Sequence, residues 1–163
     1  MNIRETVRVL LFDPQNRLLL IKVSDPSVND PGKPWLRSPF WVTPGGRIEA
    51  GEDVFTAAHR EIAEETGLAT MLGPMVWRGE QVLIIKNEPT LLREAFVVAR
   101  SPQAALRNQR WTAEERRVIA EMRWFSIPEL ESRKEVVLPP SLPELIAPIA
   151  AGNYGTTIRT IDL

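Results

Sequence analysis

Apolar residues run almost unbroken through 5–12 (ETVRVLLF) and 17–23 (RLLLIKV), with DPQN between them. Runs of this length, bounded by Asp-Pro and Asn, predict two β-strands joined as a hairpin. Segment 24–40 breaks the pattern, because Pro26, Pro31, Pro34 and Pro39 punctuate it with no periodicity. A long irregular loop follows, and such loops either gate a site or decorate the surface; both readings stand. Residues 41–52 (WVTPGGRIEAGE) continue as extended chain interrupted by Pro44, Gly45, Gly46 and Gly51. From Asp53 the spacing becomes helical: Val54, Ala58 and Ile62 recur every four residues, with Phe55 and Ala57 widening the apolar face. Asp53 suits an N-cap, and Gly67 before Leu68 suits a helix stop, so the helix is expected over 53–66.

Segments 75–86 and 92–100 alternate as two more strands around the turn NEPT. Residues 101–120 read as a loop with a short helical turn over TAEERRVIA, and 121–126 as another strand. A short helix begins at IPELES, and 139–152 predicts a terminal helix entered through prolines, which the first turn tolerates. Strands and helices interleave without repeats or a linker. One mixed α+β domain over 1–163 is expected.

Composition narrows the partners. The chain of 163 residues carries 20 basic against 21 acidic side chains, so bulk charge gives no reason to expect a stable nucleic-acid partner or a membrane surface. The N-terminus is charged from Arg4, and no apolar run approaches the ~18 residues that span a bilayer, which implies a cytoplasmic soluble protein. With no cysteine and His59 as the single histidine, thiolate and multi-histidine metal sites are excluded. A bound metal would need oxygen ligands, which suit Mg²⁺, Mn²⁺ or Ca²⁺.

Glu61, Glu64 and Glu65 place three carboxylates on one stripe of the predicted helix. A solvated acidic face is the ordinary explanation of such a stripe. Three features argue for another. No Lys or Arg follows on the C-terminal side to relieve the repulsion, and two of the carboxylates sit in the last turn, where the helix dipole disfavours them. A glycine-rich bend, where backbone approaches a ligand closely, lies just upstream. A divalent cation would resolve all three by turning repulsion into coordination.

From Gly46 the chain reads G-x5-E-x7-R-E-U-x-E-E-x-G-U, with U aliphatic: Gly46, Glu52, Arg60, Glu61, Ile62, Glu64, Glu65, Gly67 and Leu68. Chance would fill these positions on the order of once in 10⁹ registers. This pattern is the Nudix box, complete, and the sequence resembles the Nudix hydrolases. PGGRIEAGE resembles the usual entry to the box, and RWFSIPEL (123–130) looks like a strand and short helix found late in many bacterial members.

The resemblance implies an α/β/α sandwich around a mixed sheet, and an enzyme that cuts a phosphoanhydride bond of a nucleoside diphosphate linked to another moiety. It implies Mg²⁺ or Mn²⁺ held by Glu61, Glu64 and Glu65 with the Gly45 carbonyl. Glu52 and Arg60 resemble a pair that ties loop to helix. A carboxylate would take the proton from the attacking water; Glu65 is favoured, and of the later candidates Glu114, Glu115 and Glu121, each of which reads more simply as surface charge, Glu115 is the outside choice. The implied partner is a nucleotide-derived small molecule, and the resemblance admits a homodimer that no residue pattern here shows.

Beyond the box, His59 reads as helix surface, and Arg47 as either a phosphate contact or a solvated side chain. Trp41 and Trp124 fall in strand patterns and read as core; Trp35 and Trp111, in irregular segments, are the candidates for stacking on a base. Specificity in such proteins lies outside the box, here in 24–40 and 101–120, so the substrate is not legible. Two rivals stand. One is a nucleotide-sensing module without catalysis, disfavoured by the intact glutamates; the other is an isoprenoid-type isomerase, disfavoured by the absence of cysteine.

Overall fold

The computed structural model describes residues 1–107 and 111–163; of the predicted specificity segment 101–120, residues 108–110 lie outside the described residues. Strand β1 (Asn2–Phe12) forms the spine of the sheet, pairing along its whole length in parallel with β6 (Glu88–Arg100). On its other side it meets β4 (Gly45–Arg47) and, at Phe12↔Leu18 only, β2 (Leu18–Val23). The expected β1–β2 hairpin is thus reduced to one rung. Asp13 accepts hydrogen bonds from the backbone of Gln15 and Arg17 and from the Arg17 side chain, and beyond this knot β2 departs to pair with β3 (Phe40–Val42) and β7 (Ile119–Phe125). Strand β5 (Met71–Ile85) completes the antiparallel pair with β6, while β8 (Val137–Leu138) and β9 (Arg159–Thr160) are short additions at the two edges. The β5–β6 turn is not NEPT. It is formed by Lys86 and Asn87, both at positive φ (51° and 63°), which matches the twist of a two-residue hairpin and leaves Pro89 and Thr90 inside β6.

Helix α1 (Val54–Thr66) begins and ends where its caps predict: Asp53 accepts the Thr56 N–H at 2.7 Å, and Gly67 takes the left-handed conformation at φ 70°. Its Ala57, Ala58 and Ile62 pack on Val7, Val9 and Leu11 of one sheet face. Burying Ile62 alone stabilises by about 1.5–3 kcal/mol. Phe55, expected on that face, is instead exposed, because helix geometry turns it away from the Ala58–Ile62 stripe. The opposite face is covered by α3 (Ile127–Glu131) and α4 (Leu142–Ala150), through Leu130, Leu142 and Ile146 packed on Leu10, Phe12 and Leu20. The result is the expected α/β/α layering. A short helix, α2 (Ala113–Val118), carries the predicted TAEERR turn and leads directly into β7. The 24–40 loop contains one 3₁₀ turn at Pro34–Arg37 and is tied to the end of β5 by a Val28↔Ile85 bridge. Among the described residues no helix is long and apolar enough to cross a membrane.

Candidate active site

The site begins with two glycines held on a strand. Gly45, Gly46 and Arg47 pair antiparallel with Arg8, Val7 and Thr6, and this backbone lies against Arg60 and Glu61 in the second half of the acidic helix. Gly45 has φ +147°, and a side chain there would land on the Val7 carbonyl. A Cβ on Gly46 would collide with the Glu61 carboxylate. Both glycines therefore permit a close approach that no larger residue allows. Gly45→Ala is expected to cost at least about 1–3 kcal/mol from backbone strain, read as a lower denaturation midpoint in urea.

Arg60 is the hub of the box. Its Nε and Nη2 bind the two Glu52 oxygens, each at 2.8 Å, and Nη2 also reaches the Arg47 carbonyl at 3.1 Å. Its Nη1 binds Glu61 Oε1 at 3.0 Å and Glu64 Oε2 at 3.3 Å. Glu52 in turn accepts the Glu49 N–H at 2.9 Å. One planar guanidinium thus fastens the loop to the helix. Hydrogen bonding by Arg60 holds the Glu52 carboxyl down at about 2, and Glu52 in turn raises the Arg60 pKa. The repulsion within the acidic stripe is therefore relieved in part from its N-terminal side, by Arg60 rather than by a cation following the stripe.

Glu65 has no such relief. It is 5 % exposed, and its Oε2 lacks any hydrogen-bond partner. Burial, and then the charge of Glu61, drive its pKa well above the usual carboxylate range, against the pull of Arg8 and the Gly45 backbone. Burial also raises Glu61, with Arg60 opposing. The charge of Glu115, half-buried on α2, reaches both Glu61 and Glu65, whereas Glu114 and Glu121 are exposed. Among the described residues, no three His, Cys, Asp or Glu side chains converge as they stand on a point that would hold an ion. The donor set nevertheless fits a hard cation: carboxylate and carbonyl oxygens, one of them buried and unpartnered, beside a backbone cleared of side chains.

A pocket of about 250 Å³ lies on the sheet face opposite α1, linked to this nest through Arg8, which lines the pocket and whose charge acts on Glu65. Arg4, Thr6 and Arg8, alternate residues of β1, enter it from the spine, and Asp25, Lys33 and Trp35 enter it from the 24–40 loop. Arg8 pairs with Glu94 at 3.2 Å, while the Nε of half-buried Arg4 has no partner. Arg4 and Arg8 escaped the sequence reading, although polar residues at period two within an apolar strand run are a signal for a functional face. Of the tryptophans, Trp41 is core and meets Phe125 edge-on at 5.0 Å. Trp124 donates to the Ala104 carbonyl at 2.9 Å, and Trp35 is 46 % exposed at the pocket. The Trp111 indole N–H is committed to the Glu65 carbonyl at 2.6 Å. His59 and Arg47 are exposed, as a helix surface and a solvated side chain would be.

Comparison with known proteins places these observations. The profile described as "NUDIX domain" matches residues 2–145. A Bacillus subtilis (strain 168) protein provisionally named an 8-oxo-dGTP diphosphatase is 34 % identical over 68 residues, covering 42 % of this chain and 38 % of that protein. An RNA pyrophosphohydrolase of Pelagibacter ubique (strain HTCC1062) is 32 % identical over 66 residues, 40 % of this chain and 35 % of its own. The aligned stretch thus spans well under half the length of either relative. Among solved structures, a MutT protein from Methanosarcina mazei Go1 superposes with a TM-score of 0.62 at 16 % identity, covering 94 % of this chain and 97 % of the other, which is a likeness of fold.

Proposed function

This chain belongs to the Nudix family, and on that premise we propose that it is a pyrophosphohydrolase of nucleotide-derived small molecules, acting as a single domain. It opens a phosphoanhydride bond of a nucleoside diphosphate linked to another moiety. One observation carries the reading: Glu65, a buried carboxylate with one oxygen unpartnered, stands with Glu61 beside the Gly45–Gly46 backbone at the end of a complete box. Glu61, Glu64, Glu65 and the Gly45 carbonyl would hold Mg²⁺ or Mn²⁺. When bound, such a cation neutralises phosphate charge and lowers the pKa of water.

The side chains do the rest. Glu52 and Arg60 keep loop and helix in register, with the Gly46 backbone close against the Glu61 carboxylate. Arg8, in the pocket and acting on Glu65, offers positive charge to a phosphate oxygen, and the unpaired Nε of Arg4 offers a further donor in the pocket. At about 250 Å³ the pocket is smaller than ordinary ligand sites of about 300–1,000 Å³, so it receives one part of the substrate and leaves the rest in the nest. Water attacks phosphorus as the bridging P–O bond breaks, giving two phosphate products. The proton from water passes to a carboxylate, Glu65 or Glu115.

The test is a panel of nucleoside triphosphates, nucleotide sugars, ADP-ribose and dinucleoside polyphosphates with Mg²⁺ or Mn²⁺, resolved by product. At least one member is expected to yield two phosphorylated products, or a nucleotide and pyrophosphate, only when metal is present. Tight binding across the panel with no turnover would replace this reading with that of a sensor.

A further inference from the structure

The C-terminal end of an α-helix leaves carbonyls that the helix itself does not satisfy. In α1 these carbonyls belong to the box, and a distant segment takes them. The indole N–H of Trp111 donates to the Glu65 carbonyl at 2.6 Å, and the backbone N–H of Arg107 donates to the Thr66 carbonyl at 2.7 Å. The Arg107 side chain also packs on Gly67, where an added Cβ would meet its Cβ at 3.0 Å. Immediately after Trp111 the chain turns into α2, fixed by the reciprocal capping bonds of Thr112 and Glu115, both 3.1 Å. Glu115 is one helical turn beyond the indole.

We propose that Trp111 is a positioning residue. By binding the carbonyl of Glu65, its indole moors α2 to the end of the box helix and so holds the Glu115 carboxylate against the nest as a fourth acidic member. The inference rests on the hydrolase reading for its purpose, and on the hydrogen bonds alone for its geometry. The indole is suited to this task because it has one donor on a rigid, half-buried ring, so a single bond sets both distance and angle. The charge of Glu115 at Glu61 and Glu65 agrees with this placement. Packing another carboxylate beside buried Glu65 and half-buried Glu61 is unfavourable until a cation joins them, so mooring and cation binding reinforce each other.

Trp111→Phe keeps the ring and removes the donor, and Glu115→Gln keeps the shape and removes the charge. Mn²⁺ titrations followed by electron paramagnetic resonance, without any substrate, should show a roughly 3- to 10-fold weaker affinity in each. The double variant should be no weaker than Glu115→Gln alone, because the indole acts through that carboxylate. Trp124→Phe, which deletes a comparable indole bond to the Ala104 carbonyl, should leave the affinity unchanged. With a substrate in hand, kcat should fall and KM should hold. Additive losses, an unchanged affinity in Trp111→Phe, or an equal loss in Trp124→Phe would overturn the proposal. Glu115→Gln alone also decides it, since full Mn²⁺ affinity there removes the fourth member, and a wild-type protein that binds no Mn²⁺ does the same. A protein that shows the coupling yet turns over nothing would sink only the hydrolase reading.

Discussion

Glu65→Gln will lower turnover by about 10³-fold or more while leaving the fold intact, and it will raise the stability of the metal-free protein at alkaline pH. Both effects follow from the same burial. The carboxylate is 5 % exposed with one oxygen unpartnered, so its negative charge is unfavourable in the folded chain until a cation or proton arrives. Its folded pKa is raised, meaning that the folded state holds a proton where the unfolded state has lost it. Stability of the metal-free wild type should therefore fall as pH climbs from the ordinary glutamate range through the raised value. The neutral amide removes that dependence. Thermal melts at pH 5 and pH 8 in a chelator check it: the two proteins should separate at pH 8 and converge at pH 5. An amide variant with near-normal turnover would end the assignment of Glu65 to the metal nest.

Arg60→Lys will fail to substitute for arginine, with activity or metal affinity falling about 10- to 100-fold. The guanidinium serves four acceptors at once: Glu52, Glu61, Glu64 and the Arg47 carbonyl. An ammonium has three donors on a point charge and cannot reproduce the two parallel 2.8 Å bonds to Glu52. Without them the glycine loop is no longer fastened to α1, and the Gly45 carbonyl drifts from the carboxylates. Metal titration should show the loss directly, and Glu52→Gln should show a similar one. The double variant should be less than additive, because both changes break the same pair.

How much of this was legible depended on range along the chain. Helix α1 was readable almost to the residue, since its apolar stripe, its Asp53 cap and its Gly67 stop are local signals within one short segment. The box was readable for the same reason: Gly46 to Leu68 is contiguous, and its spacing converts directly into geometry on one helix and one loop. Strand pairing was less readable. The apolar runs at 5–12 and 17–23 look like a hairpin, yet β1 spends its length beside β6, some ninety residues away. Its second half, Val9–Phe12, is buried on both faces and so carries no alternation to reveal its partner. The β5–β6 turn was misplaced because Pro89 resembles a turn residue, while the positive φ of Lys86 and Asn87 leaves a weaker mark in sequence.

The sequence by itself therefore determined the acidic stripe, its capped helix, the glycine entry and the family to which these belong, because each depends on neighbours within a few turns. Only the tertiary structure decided that Arg60 binds three glutamates, that Glu65 is the one left buried without a partner, and that Arg4 and Arg8 share a pocket with Lys33 and Trp35. It alone brought Trp111 onto the end of the box helix. Burial and long-range hydrogen bonds arise from where the sheet folds distant segments together, and no local spacing encodes that meeting.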